Sequence, residues 1–524
     1  MNPPWPKGKK LVHLDLKGAP PRVDYLHRLI ELFSRLGVDG LLVEYEDMFP
    51  YEGELQLLQA TAQPAYSREQ VLSIQESAKA RGMEVIPLVQ TFGHMEFVLK
   101  HRSLWHLREV PHCVGTLNPH KEEGVKLVME MLRQVVELHP HLTTVHIGAD
   151  EVYTLGEGED SKLWLASTGR SVEHLFLSHV TKIAKAFKEA WPDMNIIMWD
   201  DMMRGMSQDT LKVHLIGHVF IKTLLDLIPP HDSKWISRTS SAHVMGLHPK
   251  PGLSLLEKYH GAGMSDLWAA SSFKGSTSVH TCVTCTQRHV DNHLQWLKVA
   301  ASLSAAINMR GIAITGWQRY DHLSVLCELL PVALPSLASC LQTLHHGEFS
   351  TEAHRNVTEL LGVSSVEMEA VERTSTGESL FPGRRLAELM VEINSLLNSE
   401  DLRFFESNIS VNFRLTCLEL DNFSSSIHLK NRLLCFNRFV RGWFSPYHRQ
   451  RKMVNPLNSM HIHNQASLYL DTLQKTVEAV RKEMVNLYPD STAEEWMEEH
   501  VSPVAAPLQR IIDAIQACVK EMVP

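Results

Sequence analysis

The stretch LVHLDLKGAPPRVDYLHRLIELFSRLGVDGLLVEY, Leu11 to Tyr45, decides the fold. Its two ends, LVHLDL (Leu11–Leu16) and GLLVEY (Gly40–Tyr45), are short apolar runs that finish near acidic residues. Such runs suit strands buried on both faces, as in a parallel sheet. Between them YLHRLIELFSRLG carries apolar residues at helical spacing and stops at Gly37, as a helix should. Strand, helix and strand make one βα unit and the start of the next.

The unit recurs. EVIPLVQ (Glu84–Gln90), TTVHIG (Thr143–Gly148), NIIMWD (Asn195–Asp200), LWAASS (Leu267–Ser272) and GIAITGW (Gly311–Trp317) are further runs of this kind. Helical patterns such as SREQVLSIQESAKARG and HLFLSHVTKIAKAFKEAW separate them. Seven runs are visible, and the long interval from Trp199 to Trp268 has room for an eighth strand. Eight βα units predict an α/β fold, a (β/α)8 TIM barrel over residues 1–345. A doubly wound sheet is the competing architecture, but no G-x-G-x-x-G follows any strand run. Beyond the barrel the strand runs stop. LAELMVEINSLLN, SLYLDTLQKTVEAVRKEMVNLY and LQRIIDAIQACVKEMV predict a C-terminal, mainly helical domain over residues 346–524.

Composition narrows the function classes. With 44% hydrophobic and 21% charged residues in 524, the chain has the make-up of a globular protein with a large core. Lys and Arg total 51 against 60 Asp and Glu, for a net charge of −9. A mildly acidic chain without a basic block is a poor electrostatic partner for nucleic acid. No window nears 18 uninterrupted apolar residues, so no membrane span is expected. The N-terminus shows no apolar h-region, so no signal peptide is expected. Eight Cys lack framework spacing, and reduced thiols in the cytoplasm, extending to the nucleus, are the expectation. A homodimer is compatible with the sequence.

In a barrel the chemistry lies at the C-terminal ends of the strands. The residues there are Asp15 and Lys17; Glu44, Glu46 and Asp47; Gln90, Thr91 and His94; Asp150 and Glu151; Trp199, Asp200 and Asp201; Trp268; and Trp317, Arg319, Tyr320 and Asp321. Carboxylates accept hydrogen bonds from hydroxyls, and Trp faces pack on a pyranose, so a small glycan or glycoconjugate is the expected substrate. A Trp taken alone is as readily a core residue; three at strand ends point to a pocket. The strongest element is HIGADE, His146 to Glu151. Adjacent buried carboxylates repel, and one pKa rises, which suits a general acid. On a solvated surface the same pair would do nothing.

Metal and cofactor readings are weaker. Cys282-x-x-Cys285 with His289 lacks a second Cys pair at zinc-site spacing. His13, His94 and His146 suggest a metallohydrolase barrel, but no His-x-His lies on the first strand. No metal and no cofactor is expected. HRQRK (His448–Lys452) reads as a solvated helix face.

HIGADE resembles the His-x-Gly-x-Asp-Glu signature of family-20 glycoside hydrolases, the β-N-acetylhexosaminidases, and VIPLVQTFGH (Val85–His94) resembles their third-strand motif. The resemblance runs from about residue 10 to the C-terminus, and it implies the barrel independently. It implies Glu151 as general acid/base and Asp150 as its partner in a substrate-assisted reaction, in which the 2-acetamido oxygen attacks the anomeric carbon and configuration is retained. It also implies His94 and His146 in or behind the sugar pocket, Trp199, Trp268 and Trp317 as its walls, and Asp15, Glu46 and Asp321 as hydroxyl acceptors. By its strand position alone His146 is equally a structural histidine.

Two segments depart from the resemblance. Residues about 205–250 should carry the sixth strand with an aromatic–Asp–Tyr element, yet no Tyr occurs between Tyr153 and Tyr259. Residues about 400–435 read as an insertion. The chain is therefore expected to be an exo-acting β-N-acetylhexosaminidase, with a catalytically impaired sugar-binding pseudoenzyme as the alternative.

Overall fold

The computed structural model describes residue 5, residues 8–215, 221–226, 249–264, 266–366, 381–398, 440 and 442–520. Eight parallel strands close a barrel in sequential order. They are β1 (Lys9–Asp15), β2 (Gly40–Glu44), β3 (Glu84–Leu88), β4 (Thr144–His146), β5 (Asn195–Trp199), β6 (Ile221–Asp226), β7 (Asp266–Lys274) and β8 (Asn308–Gly316). The strand expected between Trp199 and Trp268 is β6, whose Leu224 pairs with Trp199 on one side and Trp268 on the other.

The unit from Leu11 to Tyr45 folds as its pattern predicts. Helix Val23–Arg35 buries Leu26, Leu29, Ile30 and Phe33 on one face, at the i, i+3, i+4, i+7 spacing of an amphipathic helix. The next helix, Arg68–Lys79, starts on a reciprocal capping box between Ser67 and Gln70. Inside the barrel Leu11, Ile86, Ile197 and Trp268 belong to one apolar cluster. They come from the alternate strands β1, β3, β5 and β7, as one layer of a TIM-barrel interior does.

That layer holds one of the expected site residues. Trp268 lies near the start of β7, which runs on to Lys274, and Gly311 opposite leaves room for its ring. It packs inside the barrel, in the same apolar cluster as Trp199. The short run LWAASS disguised how far the strand continues.

The chain divides into two compact units, Met1–Arg384 and Arg385–Pro524, so the division falls beyond the expected 345/346 boundary. Helix Leu330–His346 runs across residue 345. The following helix, Thr351–Leu361, is tied back to it through Asn356 Nδ2 and Gln342 Oε1 at 3.3 Å, and Arg35 Nη2 donates to the Leu360 carbonyl at 3.1 Å. The second unit is helical, with the long helix Pro456–Leu487 and helix Ser502–Lys520; Val440, Phe444, Val454, Ile462, Ile515 and Cys518 form a core in it. The insertion at about 400–435 lies outside the described residues. Among the described residues no helix is long and apolar enough to cross a membrane.

Candidate active site

The loop after β4 is built for close approach. Gly148 has φ +61°, and a Cβ there would fall 1.9 Å from Gln90 Oε1. Gly93, after β3, would place a Cβ 1.8 Å from the Asp150 carbonyl. Both positions therefore need glycine. Non-glycine residues with left-handed φ gather around them: Glu46 at +46°, His94 at +48°, Ala149 at +65° and Glu151 at +46°. Such backbone is costly and concentrates at functional sites.

These turns bring Asp150, Glu151 and His94 together. His94 Nε2 lies 3.5 Å from Asp150 Oδ2 and 3.3 Å from Glu151 Oε2. Burial opposes the His94 charge, but Asp150, Glu151 and Glu96 outweigh it and raise its pKa well above the ordinary value. The repulsion expected within the acid pair raises Asp150, not Glu151. Burial lifts Asp150 first, against His94, with the Glu151 charge adding to the rise. Burial opposes ionised Glu151 too, yet His94, 3.3 Å from its Oε2, and Tyr153 hold its carboxyl below the usual range. Asp150 is mostly buried, its side chain 17% exposed, whereas that of Glu151 is 48% exposed.

Asp201, seen in the sequence only as a strand-end acid, belongs to this cluster. Its Oδ2 accepts the Glu151 backbone N–H at 2.9 Å, while its Oδ1 and Asp150 Oδ1 are buried without a hydrogen-bond partner among the described residues. Burial, then the Asp150 charge, push Asp201 up to about 7. Its neighbour Asp200 is structural: Arg204 grips it at 2.8 Å and the Tyr259 hydroxyl donates to it at 3.0 Å. Sequence reasoning passed over Tyr153 altogether, although it stands two residues beyond Glu151.

A second charged cluster lies at the ends of β1 and β2. Lys17 Nζ sits 2.9 Å from Asp15 Oδ2 and 3.5 Å from both Glu44 and Glu46. Burial opposes its charge, but the three carboxylates hold its pKa well above the usual range. Asp15 is fully committed. Its Oδ1 takes the Lys17 N–H, and its Oδ2 takes the Gln318 N–H at 2.7 Å, so it anchors the β8 loop instead of presenting a free acceptor. Glu46 pairs with His322 Nδ1 at 2.7 Å, and burial pushes its carboxyl up to about 8. Glu96 is pushed by burial up to about 7.

The floor is aromatic. Trp199 and Trp317 lie 6.2 Å apart, and His146 sits 4.6 Å from the Trp199 ring. His146 is fully buried, accepts the Gly148 N–H on Nδ1 at 3.0 Å and is held neutral by burial, its pKa down at about 3. It sets the turn behind the acid pair. Asp321 is half-buried in the loop after β8, where its Oδ1 accepts the Leu323 N–H at 2.7 Å. Among the described residues no group of three His, Cys, Asp or Glu side chains is arranged to hold a metal ion.

A closed (β/α)8 barrel with paired carboxyls and tryptophans at its mouth has the build of a glycoside hydrolase. The comparisons with known proteins narrow the class. The glycosyl hydrolase family 20 catalytic domain matches residues 43–220. The chain is 42% identical to hexosaminidase D of Homo sapiens, over 96% of this chain and 93% of that protein. It is 50% identical to hexosaminidase D of Bos taurus, over 68% of this chain and 98% of that one. A crystal structure of a β-N-acetylhexosaminidase superposes with a TM-score of 0.51 at 16% identity, over 72% of this chain and 80% of that one, which speaks to the fold. The chain belongs to glycosyl hydrolase family 20 and is a glycoside hydrolase of the β-N-acetylhexosaminidase type.

Proposed function

We propose that the chain removes terminal, non-reducing N-acetylgalactosamine or N-acetylglucosamine from a glycan or glycoconjugate by substrate-assisted, retaining catalysis. The observation that carries this reading is the asymmetry of the acid pair: one carboxyl buried with a free oxygen, its neighbour half exposed. Asp150 orients the acetamido N–H and stabilises the positive charge that develops as its oxygen attacks the anomeric carbon. Glu151 gives a proton to the leaving oxygen and then takes one from water. In the free protein Glu151 is held ionised by His94 and Tyr153; a bound sugar excludes water, and desolvation favours its protonated form. Trp199 and Trp317 receive the sugar's apolar face. The reaction requires no metal or cofactor. We place the activity in the cytoplasm and nucleus, to be checked by imaging, and leave a homodimer to sedimentation.

Turnover of a chromogenic N-acetylgalactosaminide or N-acetylglucosaminide by wild type, with loss in Glu151→Gln and Asp150→Asn, is the expected result. Full activity in both variants would overturn the site assignment. A second reading, a sugar-binding pseudoenzyme, is favoured by one feature: β6 ends in Leu224-Leu225-Asp226 with Leu227 next, an acid without the expected aromatic or Tyr neighbours. Sugar binding without turnover in wild type would select it.

A further inference from the structure

Lys274 ends strand β7, paired with Gly316 at the end of β8, and is only 1% exposed. Its Nζ donates to the Trp317 carbonyl at 2.6 Å, to Gln318 Oε1 at 2.6 Å and to the Glu328 carbonyl at 3.0 Å. Three acceptors use all three N–H groups of an ammonium, so the side chain carries its charge. None of the three is a carboxylate, and a buried charge without a paired counter-ion is costly. An apolar side chain could fill the same space without that cost, so what the ammonium grips matters. Its neighbour Gly275 presses on the same loop. Its φ is +71°, and a Cβ there would fall 2.1 Å from the Trp317 carbonyl oxygen. Its N–H donates to Glu328 Oε2 at 2.6 Å.

Strand β8 stops at Gly316, so Trp317 is the first residue beyond it. Past the strand, the orientation of this peptide depends on what bonds its carbonyl. Its half-buried ring lies 6.2 Å from Trp199 and edge-on to His13 at 5.8 Å. We propose that Lys274 is a positioning residue for the sugar site: by fixing the Trp317 carbonyl and the Gln318 amide, it sets where the Trp317 ring meets the sugar. The inference rests on Trp317 walling that site. An aromatic face helps a pyranose only when it lies flat against it. Holding the backbone of that residue from a neighbouring strand keeps the face in place before substrate arrives.

The experiment is a double-mutant cycle of Lys274→Met and Trp317→Phe, with Lys274→Gln beside it. Steady-state kinetics use a 4-nitrophenyl N-acetylhexosaminide, and calorimetry reads binding of the free N-acetylhexosamine. Lys274→Met keeps the stem and removes all three hydrogen bonds. KM should rise about two- to tenfold, the range of one weakened aromatic contact, with kcat within about twofold of wild type. No further rise is expected where Trp317 is already Phe. A residue that only supports the fold would lower the thermal midpoint and the active fraction, and leave KM alone. Should Lys274→Met fail to fold, Lys274→Gln, with two donors on a shorter stem, decides by the same rise in KM. An unmoved KM in the Lys274 variants while Trp317→Phe raises it, or an equal rise in both backgrounds, overturns this inference and leaves the proposed reaction standing. If Trp317→Phe itself leaves KM unchanged, the wall and its positioning fall together. A wild type without turnover overturns the reaction, and the Kd of the free sugar across the same cycle then decides the inference. No sugar binding at all overturns both.

Discussion

Two carboxylate clusters share the mouth of the barrel and are built in opposite ways. Around Lys17, the groups Asp15, Glu44 and Glu46 surround one ammonium, and both Asp15 oxygens are taken by donors. Around Asp150 and Asp201, each residue keeps one buried carboxyl oxygen without a partner among the described residues. A buried, unsatisfied polar group costs about 1–3 kcal/mol, and the left-handed turns at His94, Ala149 and Glu151 add to that cost. The first cluster is arranged to hold its shape. The second keeps acceptors unspent, as a site that bonds a substrate's N–H requires.

The largest expected effect tests the reactive side of this contrast. Glu151→Gln should lower kcat by about 10²- to 10⁴-fold with little change in thermal midpoint, read by chromogenic assay and scanning calorimetry. A large loss of stability would mean that Glu151 holds structure, as Lys17 does. On the other side, Lys17→Met leaves the buried Asp15 and Glu44 carboxylates and the Glu46 carboxyl without their cation. Breaking a buried ion pair from one side costs about 3–5 kcal/mol, to be measured by urea unfolding near pH 7. A cost below about 1 kcal/mol would show that water reaches the cluster and would erase the contrast.

Asp201 and Glu44, one from each cluster, should differ in the sign of their pH response. Burial pushes Asp201 from an ordinary 3.8 up to about 7. Between those values the folded chain holds a proton that the unfolded chain lacks, so stability falls as pH rises and the penalty is complete above about 7. Asn does not titrate and its side-chain oxygen can still accept the Glu151 N–H. Asp201→Asn should therefore gain about 1–3 kcal/mol at pH 8 and much less at pH 5. Glu44 behaves inversely: despite burial, Lys17 and His13 hold its carboxyl well below 4.5. Its contribution is present above that value and is lost as pH falls below it. Equal stabilisation by Asp201→Asn at both pH values would refute a raised carboxyl.

How much of this was legible in the sequence follows from what periodicity encodes. Strands buried on both faces and helices with one apolar face leave local patterns, so the barrel and even the room for β6 were readable. HIGADE was readable because a strand end followed by small residues places an acid pair at the mouth. The depth of Trp268 was not, since it depends on register across the closed barrel. Nor was the commitment of Asp15 to Gln318, whose partner lies 303 positions away. Tyr153 and His322 escaped because a strand-end search stops before the loops that fold back over the mouth. The direction of the pKa split in the acid pair escaped as well, because it hangs on which carboxyl His94 and Tyr153 face.

The smallest expected effect separates the two tryptophans on the β5 and β7 strands. Both lie in one apolar cluster, but Trp199 ends β5, against His146 and Trp317, whereas Trp268 lies near the start of β7. Trp199→Phe keeps an aromatic face but shortens it where a sugar would rest, so KM should rise about two- to tenfold, the range of one weakened aromatic contact. Trp268→Phe removes volume from the packed interior and should lower stability by about 1–3 kcal/mol while leaving KM unchanged. Denaturation and kinetics on the same preparations read both quantities. If Trp268→Phe moved KM as much as Trp199→Phe, the sugar would have to reach a layer that the structure fills with side chains.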